Sequence, residues 1–346
     1  DKLAGKPQNI KAINEAIKGI EKDYQDKGYV LTRVDGIDQD EDGTVVIKVN
    51  EGKLHKITFQ GNKKTKDFVI RRAMAQKEGE VYNEKTVQAD MKRIFSTQTV
   101  SDVRRVVKAS TEVPDEYDLV IETDEKKTGT VSLGGGLDTG TGVFGSAGYN
   151  DPNFMGRGYN LSVMGSVGSG VIGNAATVVR RRTLQFQTSF YNPSLFETKN
   201  SLGTQAYARQ FGSFNVPFAI ESRYGGGVTL GRPLESIPNT AASLGLSFES
   251  IHLSEGYADR VASRGVSTAT RKNQLEGGSF VYLDPSIYYD SRNNRFDPNS
   301  GYYISLADRV ALGFGGQSNS YSNVTGDIRR YMRVTDNTTF AIQGRG

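Results

Sequence analysis

The residue types that most often perform chemistry are scarce and widely separated in this chain. The two histidines, His55 and His252, lie in segments of different sequence pattern, and the absence of cysteine excludes a thiol nucleophile and any cysteine-ligated metal. The acidic run Asp38–Asp42 lacks the ligand spacing and closing glutamate of a calcium loop, which favours a solvated turn. No helix pattern follows Gly134–Gly136, so these glycines are not a nucleotide-binding motif. We therefore expect a non-enzymatic protein with no cofactor and no metal.

The composition argues against two broad classes and favours a third. No run of about 18 apolar residues occurs, which excludes a transmembrane helix. A formal net charge of +4 over 346 residues is too small to indicate nucleic acid as a partner. The chain has 40 glycines, 17 tyrosines and 16 phenylalanines at a mean hydropathy of -0.49. That combination is typical of a transmembrane β-barrel, in which only every second residue is apolar.

The first part of the chain alternates helix and strand patterns. Five apolar residues recur at helical spacing from Ile10 to Tyr24 and predict the buried face of a helix that ends at Gly28. Strands are predicted at Tyr29–Val34 and Thr44–Asn50, on either side of the acidic turn. This order defines a partial small domain over residues 1–51.

A fuller version of the same order follows over residues 52–127. Its predicted elements are a strand, two helices and two strands: Leu54–Gln60, a helix capped by Thr65 that runs through Met74, a helix capped by Asn83, Val100–Val113 and Tyr117–Thr123. The residues expected on the inner face of the second helix are Val87, Met91, Ile94 and Phe95. One complete and one partial copy indicate an internal repeat, and each copy is too small to hold a deep enzyme pocket.

From Thr130 onward the sequence has a period of two. Over residues 242–249, for example, Ala, Leu, Leu and Phe alternate with Ser, Gly, Ser and Glu. A soluble sandwich would also alternate, but with more large aliphatic residues on shorter strands. The polar, glycine-rich second face favours a water-filled lumen, and so a membrane barrel, over a sandwich.

The predicted connections differ in length in an alternating way. Short turns are expected at Asp151–Gly158, Asn192–Asn200 and Asn293–Gly301, and longer polar stretches at Leu253–Gly277 and Gly313–Asn319. Short turns on one rim and long loops on the other are typical of outer-membrane barrels. We count about eleven strands, an odd number where single-chain barrels have an even one, so we expect the barrel to be incomplete at the C terminus.

Two motifs resemble a known family. The stretch Ile57–Thr65, followed by Ile70-Arg71-Arg72, resembles the signature of a POTRA domain. The hairpin that opens with Gly148–Asp151 resembles the first barrel hairpin of BamA-like outer-membrane assembly proteins, especially those of the cyanobacterial and plastid branch. The hairpin residues that carry this resemblance are Asp151, Pro152, Asn153, Phe154, Gly156, Arg157 and Gly158.

The resemblance covers essentially the whole chain and implies its architecture. It implies α+β POTRA repeats (β-α-α-β-β), followed over residues 128–346 by an antiparallel transmembrane β-barrel that is incomplete at its C terminus. Barrels of this family close with further strands and carry an inward loop with an Arg-Gly motif. Arg345-Gly346 is not that motif, so we expect the closing strands and the loop to be absent from this chain.

The resemblance also implies a function in an outer membrane, either of a cell or of a plastid envelope, with the POTRA domains in the periplasm or its equivalent. The implied activity is insertion and folding of β-barrel proteins, and the implied partners are unfolded outer-membrane clients, outer-membrane lipid and accessory assembly subunits. A protein-translocating channel of the same superfamily, for two-partner secretion or plastid import, would share every motif. A diffusion porin is disfavoured, because a pore needs no periplasmic receptor domain.

Three segments are candidates for this function. An edge strand of the second small domain would pair with an extended client; its residues are Val103, Arg104, Arg105, Val106 and Val107. The first barrel strand would meet the last at a seam that opens sideways; its residues are Leu133, Gly134, Gly135, Gly136 and Leu137. Arg180–Arg182 would contact anionic head groups or loop carboxylates. The alternatives are an ordinary strand, glycines that only relieve curvature, and a solvated rim.

Overall fold

The structure is a computed structural model that describes residues 9–39, 44–138, 141–170, 182–212, 219–255, 277–295, 297–316 and 318–346. The chain divides into two compact units, Asp1–Thr128 with Met155–Gly158, and Gly129–Phe154 with Tyr159–Gly346. Arg180, Arg181, most of the acidic turn at 38–42 and most of the stretch 253–277 lie outside the described residues. Among the described residues, no helix is both long enough and apolar enough to cross a membrane.

The first unit begins with one helix and a two-stranded sheet: α1 Ile10–Asp26, β1 Arg33–Gln39 and β2 Val45–Asn50. Gly28 follows the helix with a φ of +99°, as expected for a residue that ends one. A strand is present where Tyr29–Val34 was predicted, but it begins only at Arg33, because Thr32 N donates to Tyr29 O (3.3 Å) in a turn. The apolar stripe of α1 is only partly covered, and Ile10 is 79% exposed, since a two-stranded sheet is narrow.

The second module of this unit has all five predicted elements. They are β3 Leu54–Gln60, α2 Asp67–Arg71, α3 Glu84–Ser96, β4 Val100–Ala109 and β5 Tyr117–Glu125. The sheet order is β3-β5-β4, with β3 parallel and β4 antiparallel to the central β5. Both helices pack on the sheet, and the buried core consists of Leu54, Ile57, Ile70, Tyr82, Val87, Ile94, Val100, Leu119 and Ile121. Asn83 caps α3 as predicted, since its Oδ1 accepts from Lys85 N (3.0 Å) and Thr86 N (3.2 Å).

Three details of this module differ from the sequence prediction. Thr65 is not an N-cap: its hydroxyl and its amide both bind the Glu125 carboxylate, and α2 runs only from Asp67 to Arg71, with Lys66 at the N-cap position. Phe95 is 57% exposed rather than buried. Strand β4 ends at Ala109 instead of Val113, because Ser110 Oγ accepts from the following amides and turns the chain.

The second unit is one antiparallel sheet of eleven strands in sequence order, so β6 and β16 are its edges in the described residues. The strands are β6 Thr130–Asp138, β7 Gly142–Phe154, β8 Tyr159–Gly168, β9 Thr183–Asn192, β10 Ser201–Gly212, β11 Ala219–Pro233, β12 Thr240–Glu255, β13 Gly278–Asp290, β14 Gly301–Gly316, β15 Tyr321–Thr335 and β16 Thr338–Arg345. The predicted period of two is confirmed, and the described residues form eleven strands. Strands β7, β9, β11, β13 and β15 all end at the same end of the sheet, because every neighbouring pair is antiparallel.

The register gives the sheet one apolar and one polar face. The apolar face is the side that carries Leu133, Val163, Leu246, Leu283 and Ile328. Its side chains are open to the surroundings, with Leu133 83% and Leu246 58% exposed. The polar face is the side that carries Arg223, Glu249, Tyr282, Asp284 and Arg309. Ion pairs and hydrogen bonds cross the strands on that face; for example, Arg309 Nε donates to Asp284 Oδ1 (2.7 Å).

The turn after β7 is shorter than predicted. Strand β7 extends through Phe154, so the turn is Met155–Gly158 rather than Asp151–Gly158. The register shifts between Asp151 and Phe154, which is a local bulge. At this bulge Asp151 is only 2% exposed, and its Oδ1 accepts from Asn153 N (2.9 Å).

Candidate functional site

Strand β4 lies at an edge of its three-stranded sheet. It pairs with β5 from Val103↔Thr123 to Val107↔Leu119, and within the described part of the chain no strand pairs with its other side. An edge strand presents backbone N–H and C=O groups that an extended segment can complete. The predicted segment Val103–Val107 therefore lies where main-chain pairing is geometrically open.

The two arginines of this segment bind their own module. Arg104 forms a two-pronged contact with Asp124 (2.9 and 3.1 Å), and Arg105 Nε donates to the Tyr82 hydroxyl (3.2 Å) while its Nη2 contacts Glu84. Burial and the hydrogen bond to Glu84 raise the pKa of Tyr82 to about 12. Both guanidinium groups therefore already have carboxylate partners within the module, and the unpaired side of β4 offers its backbone groups.

A groove runs beside β4. It has a volume of about 440 Å³ and is lined by Gln88, Met91, Lys92, Phe95, Asp102, Val103 and Arg105. Phe95 contributes an exposed ring to this groove, although the sequence pattern predicted it on the inner face of the helix. The signal was present in the spacing, because Phe95 follows Ile94 immediately and so lies about 100° around the helix from a core position.

The glycine-rich segment of β6 lies on the edge of the eleven-stranded sheet, paired only with β7 in the described residues. A Cβ at Gly135 would come within 3.1 Å of Phe144 O, and one at Gly136 within 3.2 Å of the Phe144 ring. These glycines therefore permit close approach of β7, whatever further role the segment has. Val103–Val107 and Leu133–Leu137 lie in different compact units.

Steric constraints explain why glycine occupies two positions of the hairpin motif, Gly156 and Gly158. Gly156 and Gly158 have φ values of +70° and +63°, as expected from their place in the turn. Their segment, Met155–Gly158, belongs to the first compact unit, where Lys66 N donates to Gly156 O (2.8 Å). A Cβ on Gly156 would lie 2.0 Å from Lys64 O, which no side chain tolerates. Arg157 is exposed.

Family comparisons agree with this architecture of small α+β modules followed by a long meander of membrane-type strands. Residues 153–346 match the Omp85 superfamily domain, residues 53–126 match a POTRA family described as a surface antigen variable number repeat, and residues 1–52 match the ShlB-type POTRA domain. Because the first of these matches covers more than half of the chain, the chain belongs to the Omp85 superfamily.

Curated relatives point to the BamA-like branch. The outer membrane protein assembly factor BamA of Neorickettsia risticii is 24% identical over 319 residues, which cover 89% of this chain and 39% of the relative. Outer envelope protein 80 of Arabidopsis thaliana chloroplasts is 29% identical over 174 residues, covering 46% of this chain and 24% of the relative. The chain thus spans well under half of the length of these relatives.

Solved structures show the same fold at lower sequence identity. BamA from Haemophilus ducreyi lacking POTRA domains 1-3 aligns with a TM-score of 0.61 and 22% identity over 99% of this chain and 65% of that one. CdiB from Escherichia coli aligns with a TM-score of 0.54 and 14% identity over 99% and 64% of the two chains. The protein is a BamA-like outer-membrane protein with POTRA domains in the periplasm or its equivalent, and the apolar face of its sheet faces lipid.

Proposed function

We propose that this protein inserts and folds β-barrel proteins in an outer membrane. The observation that carries the proposal is the open edge of β4 beside the α3 groove, in a chain whose relatives include proteins named as outer membrane assembly factors. The edge offers main-chain pairing that is indifferent to client sequence, and the groove offers an apolar contact for alternate client side chains. Unfolded barrel proteins are the clients, with outer-membrane lipid and accessory assembly subunits as further partners.

In this mechanism the client first pairs with the edge strand β4 of the POTRA domain and then passes to the first barrel strand, β6. Segment Leu133–Leu137 has three consecutive glycines, which weaken strand packing, and it lies on an edge of the sheet. We propose that it forms a seam with the last strand of the full-length barrel and templates client strands there. Burial of apolar surface and closure of hydrogen bonds in lipid supply the driving force, so no nucleotide is required.

We also propose that the protein is not an enzyme. Its two histidines lie in separate compact units, His55 beside Glu112 (3.1 Å) and His252 in strand β12, and the chain has no cysteine that could serve as a nucleophile. A hydrolase assay on the purified protein would detect any activity that this proposal overlooks.

The test uses the full-length protein in liposomes with an unfolded barrel client and no energy source. Client folding is followed by the change in gel mobility between heated and unheated samples. We expect folding to be faster than in empty liposomes, and the acceleration to disappear when one engineered cysteine in 133–137 is joined to one in the last strand. Reduction of that disulfide should restore it, and each single-cysteine variant is the matched control.

The second candidate is a protein-translocating channel, which the fold likeness to CdiB favours. A channel would show ion conductance in planar bilayers that a specific precursor blocks. No acceleration of client folding, together with such a block, would replace the first proposal by this one.

A further inference from the structure

A carboxylate lies in the middle of the apolar face. Along β14 this face carries Tyr302, Ile304, Leu306, Asp308, Val310, Leu312 and Phe314. Asp308 is six residues from the aromatic ring at each end of this row. With about 3.3 Å per residue and a strand tilt of about 40°, each ring is about 15 Å away along the membrane normal. Asp308 therefore lies near the bilayer midplane.

The surroundings of Asp308 leave it incompletely satisfied. Ser322 Oγ donates to Asp308 Oδ1 (2.7 Å), which is the hydrogen bond that the structure gives this side chain in the described residues. The neighbour of Asp308 on strand β13 is Pro285. Between the pairs Leu283↔Val310 and Ser286↔Ala307 the two strands form no pair, because proline has no N–H to donate. One hydroxyl donor leaves Oδ2 free to accept from another group.

No cation on the same face compensates this carboxylate within the described strands. Arg309, its neighbour in sequence, points to the polar face and is bound by Asp284 (2.7 and 3.2 Å). Arg330 lies on the apolar face at the rim, with its guanidinium 5.3 Å from the Tyr302 ring. An acidic side chain facing hydrocarbon is costly, and ionisable residues at this depth are retained where they have a partner.

We propose that Asp308, with Ser322, is the docking point for a second membrane-embedded protein segment that presents a lysine, arginine or side-chain amide at mid-depth. Acyl chains have no donor, and lipid head groups do not reach the midplane. A second copy of this chain docked through the same patch would bring carboxylate against carboxylate. The patch also admits close approach, because a Cβ on neighbouring Gly326 would meet nothing within 4 Å. The proposal rests on the lipid-facing placement and not on the proposed insertase function.

The first test is crosslinking in the native outer membrane with the full-length protein. A photoreactive amino acid replaces Leu306, next to Asp308, or Leu246, a control on the same face of β12. We expect an adduct at position 306 whose peptide maps to a membrane-spanning segment with a donor side chain, and no such adduct at position 246. Asp308→Leu should reduce the adduct at least tenfold, and Asp308→Asn, which keeps an acceptor oxygen, should retain more of it.

Other crosslinking results overturn the proposal. They are equal adducts at both positions, an adduct that Asp308→Leu does not change, a peptide without a donor, an adduct to a second copy of this chain, or no adduct at position 306.

The second test separates docking from a structural role. The purified full-length protein is unfolded by urea in lipid vesicles without partners. If the role of Asp308 is docking, Asp308→Leu should raise the urea midpoint, because the substitution removes a carboxylate from the lipid-facing surface. Ser322→Ala should lower the midpoint, because it removes the hydrogen bond to Asp308. A lower midpoint for Asp308→Leu would show that Asp308 stabilises the sheet itself and would overturn the proposal.

Discussion

Glu84 N donates to Gly28 O over 2.8 Å, so the start of α3 is joined to the end of α1. Two further bonds reinforce this joint: Asn83 Nδ2 donates to Lys27 O (3.2 Å), and Lys85 Nζ donates to Asp26 O (2.6 Å). The carbonyls that end one helix thus accept from the donors that begin the next, which brings the negative end of one macrodipole to the positive end of the other. The two modules of the first unit are held together at this point.

Asn83→Ala should loosen this joint. The substitution removes the cap of α3 and the bond to Lys27 O, at a cost of about 1 to 2 kcal/mol. We expect hydrogen exchange of the first α3 amides to accelerate by about 5- to 30-fold. Asn9→Ala is the matched control, because Asn9 caps α1 in the same way but lies outside the joint. Equal protection of α3 in the wild type and Asn83→Ala would contradict the assignment.

The stability of the second module should fall at acid pH through Glu125. Burial raises the pKa of this carboxyl, but hydrogen bonds from Thr65, Lys64 and Lys63 outweigh burial and hold it below the ordinary value of 4.5. A carboxyl with a lowered folded-state pKa adds stability above its unfolded pKa and loses that stability as the pH falls through the folded value. We expect the unfolding midpoint to drop between pH 6 and about pH 3.

Glu125→Gln should weaken that pH dependence. Glu78 and Glu84 also have lowered pKa values, through Arg71 and through Tyr82, Gln88 and Arg105 respectively, so part of the dependence should remain. The check is urea unfolding followed by circular dichroism at both pH values. An unchanged slope in the variant would mean that the Glu125 contacts contribute little.

Sequence patterns predicted the structural features that depend on residues close in sequence. They did not predict the contacts between residues that are distant in sequence. The period of two gave the two faces of the sheet, and Asn83 was recognisable because a cap acts within its own turn. Thr65 has the right type for a cap, but its hydroxyl and its amide bind Glu125, which lies at the far end of the module. The lack of a compensating cation for Asp308 on the described strands could likewise not be predicted from the sequence, because it depends on the register of β13, β14 and β15.

Gly156→Ala should destabilise the hairpin strongly. A side chain at φ of +70° costs about 1 to 2 kcal/mol, and a Cβ 2.0 Å from Lys64 O must displace backbone as well. We expect slower folding of the full-length protein and faster proteolysis at the hairpin, measured by gel mobility and limited digestion. Gly145→Ala is the control, since its Cβ would meet nothing within 4 Å and its φ is not positive. Similar behaviour of both variants would show that the turn is adaptable.

Proline substitutions in β4 should distinguish the side of the strand that pairs with β5 from the side that is unpaired in the described residues. Successive N–H groups of a strand point in opposite directions, so one of Val106 and Val107 donates toward β5 and the other away from it. We expect one proline variant to unfold the module and the other to stay folded, because edge strands tolerate proline where no ladder bond is lost.

The folded proline variant should bind an unfolded barrel client several-fold more weakly, as measured by co-flotation with liposomes that contain the full-length protein. Val106→Ala and Val107→Ala keep both N–H groups and should bind normally. Normal client binding by the folded proline variant would mean that clients do not pair with the backbone of β4, and the role proposed for Val103–Val107 would then be lost.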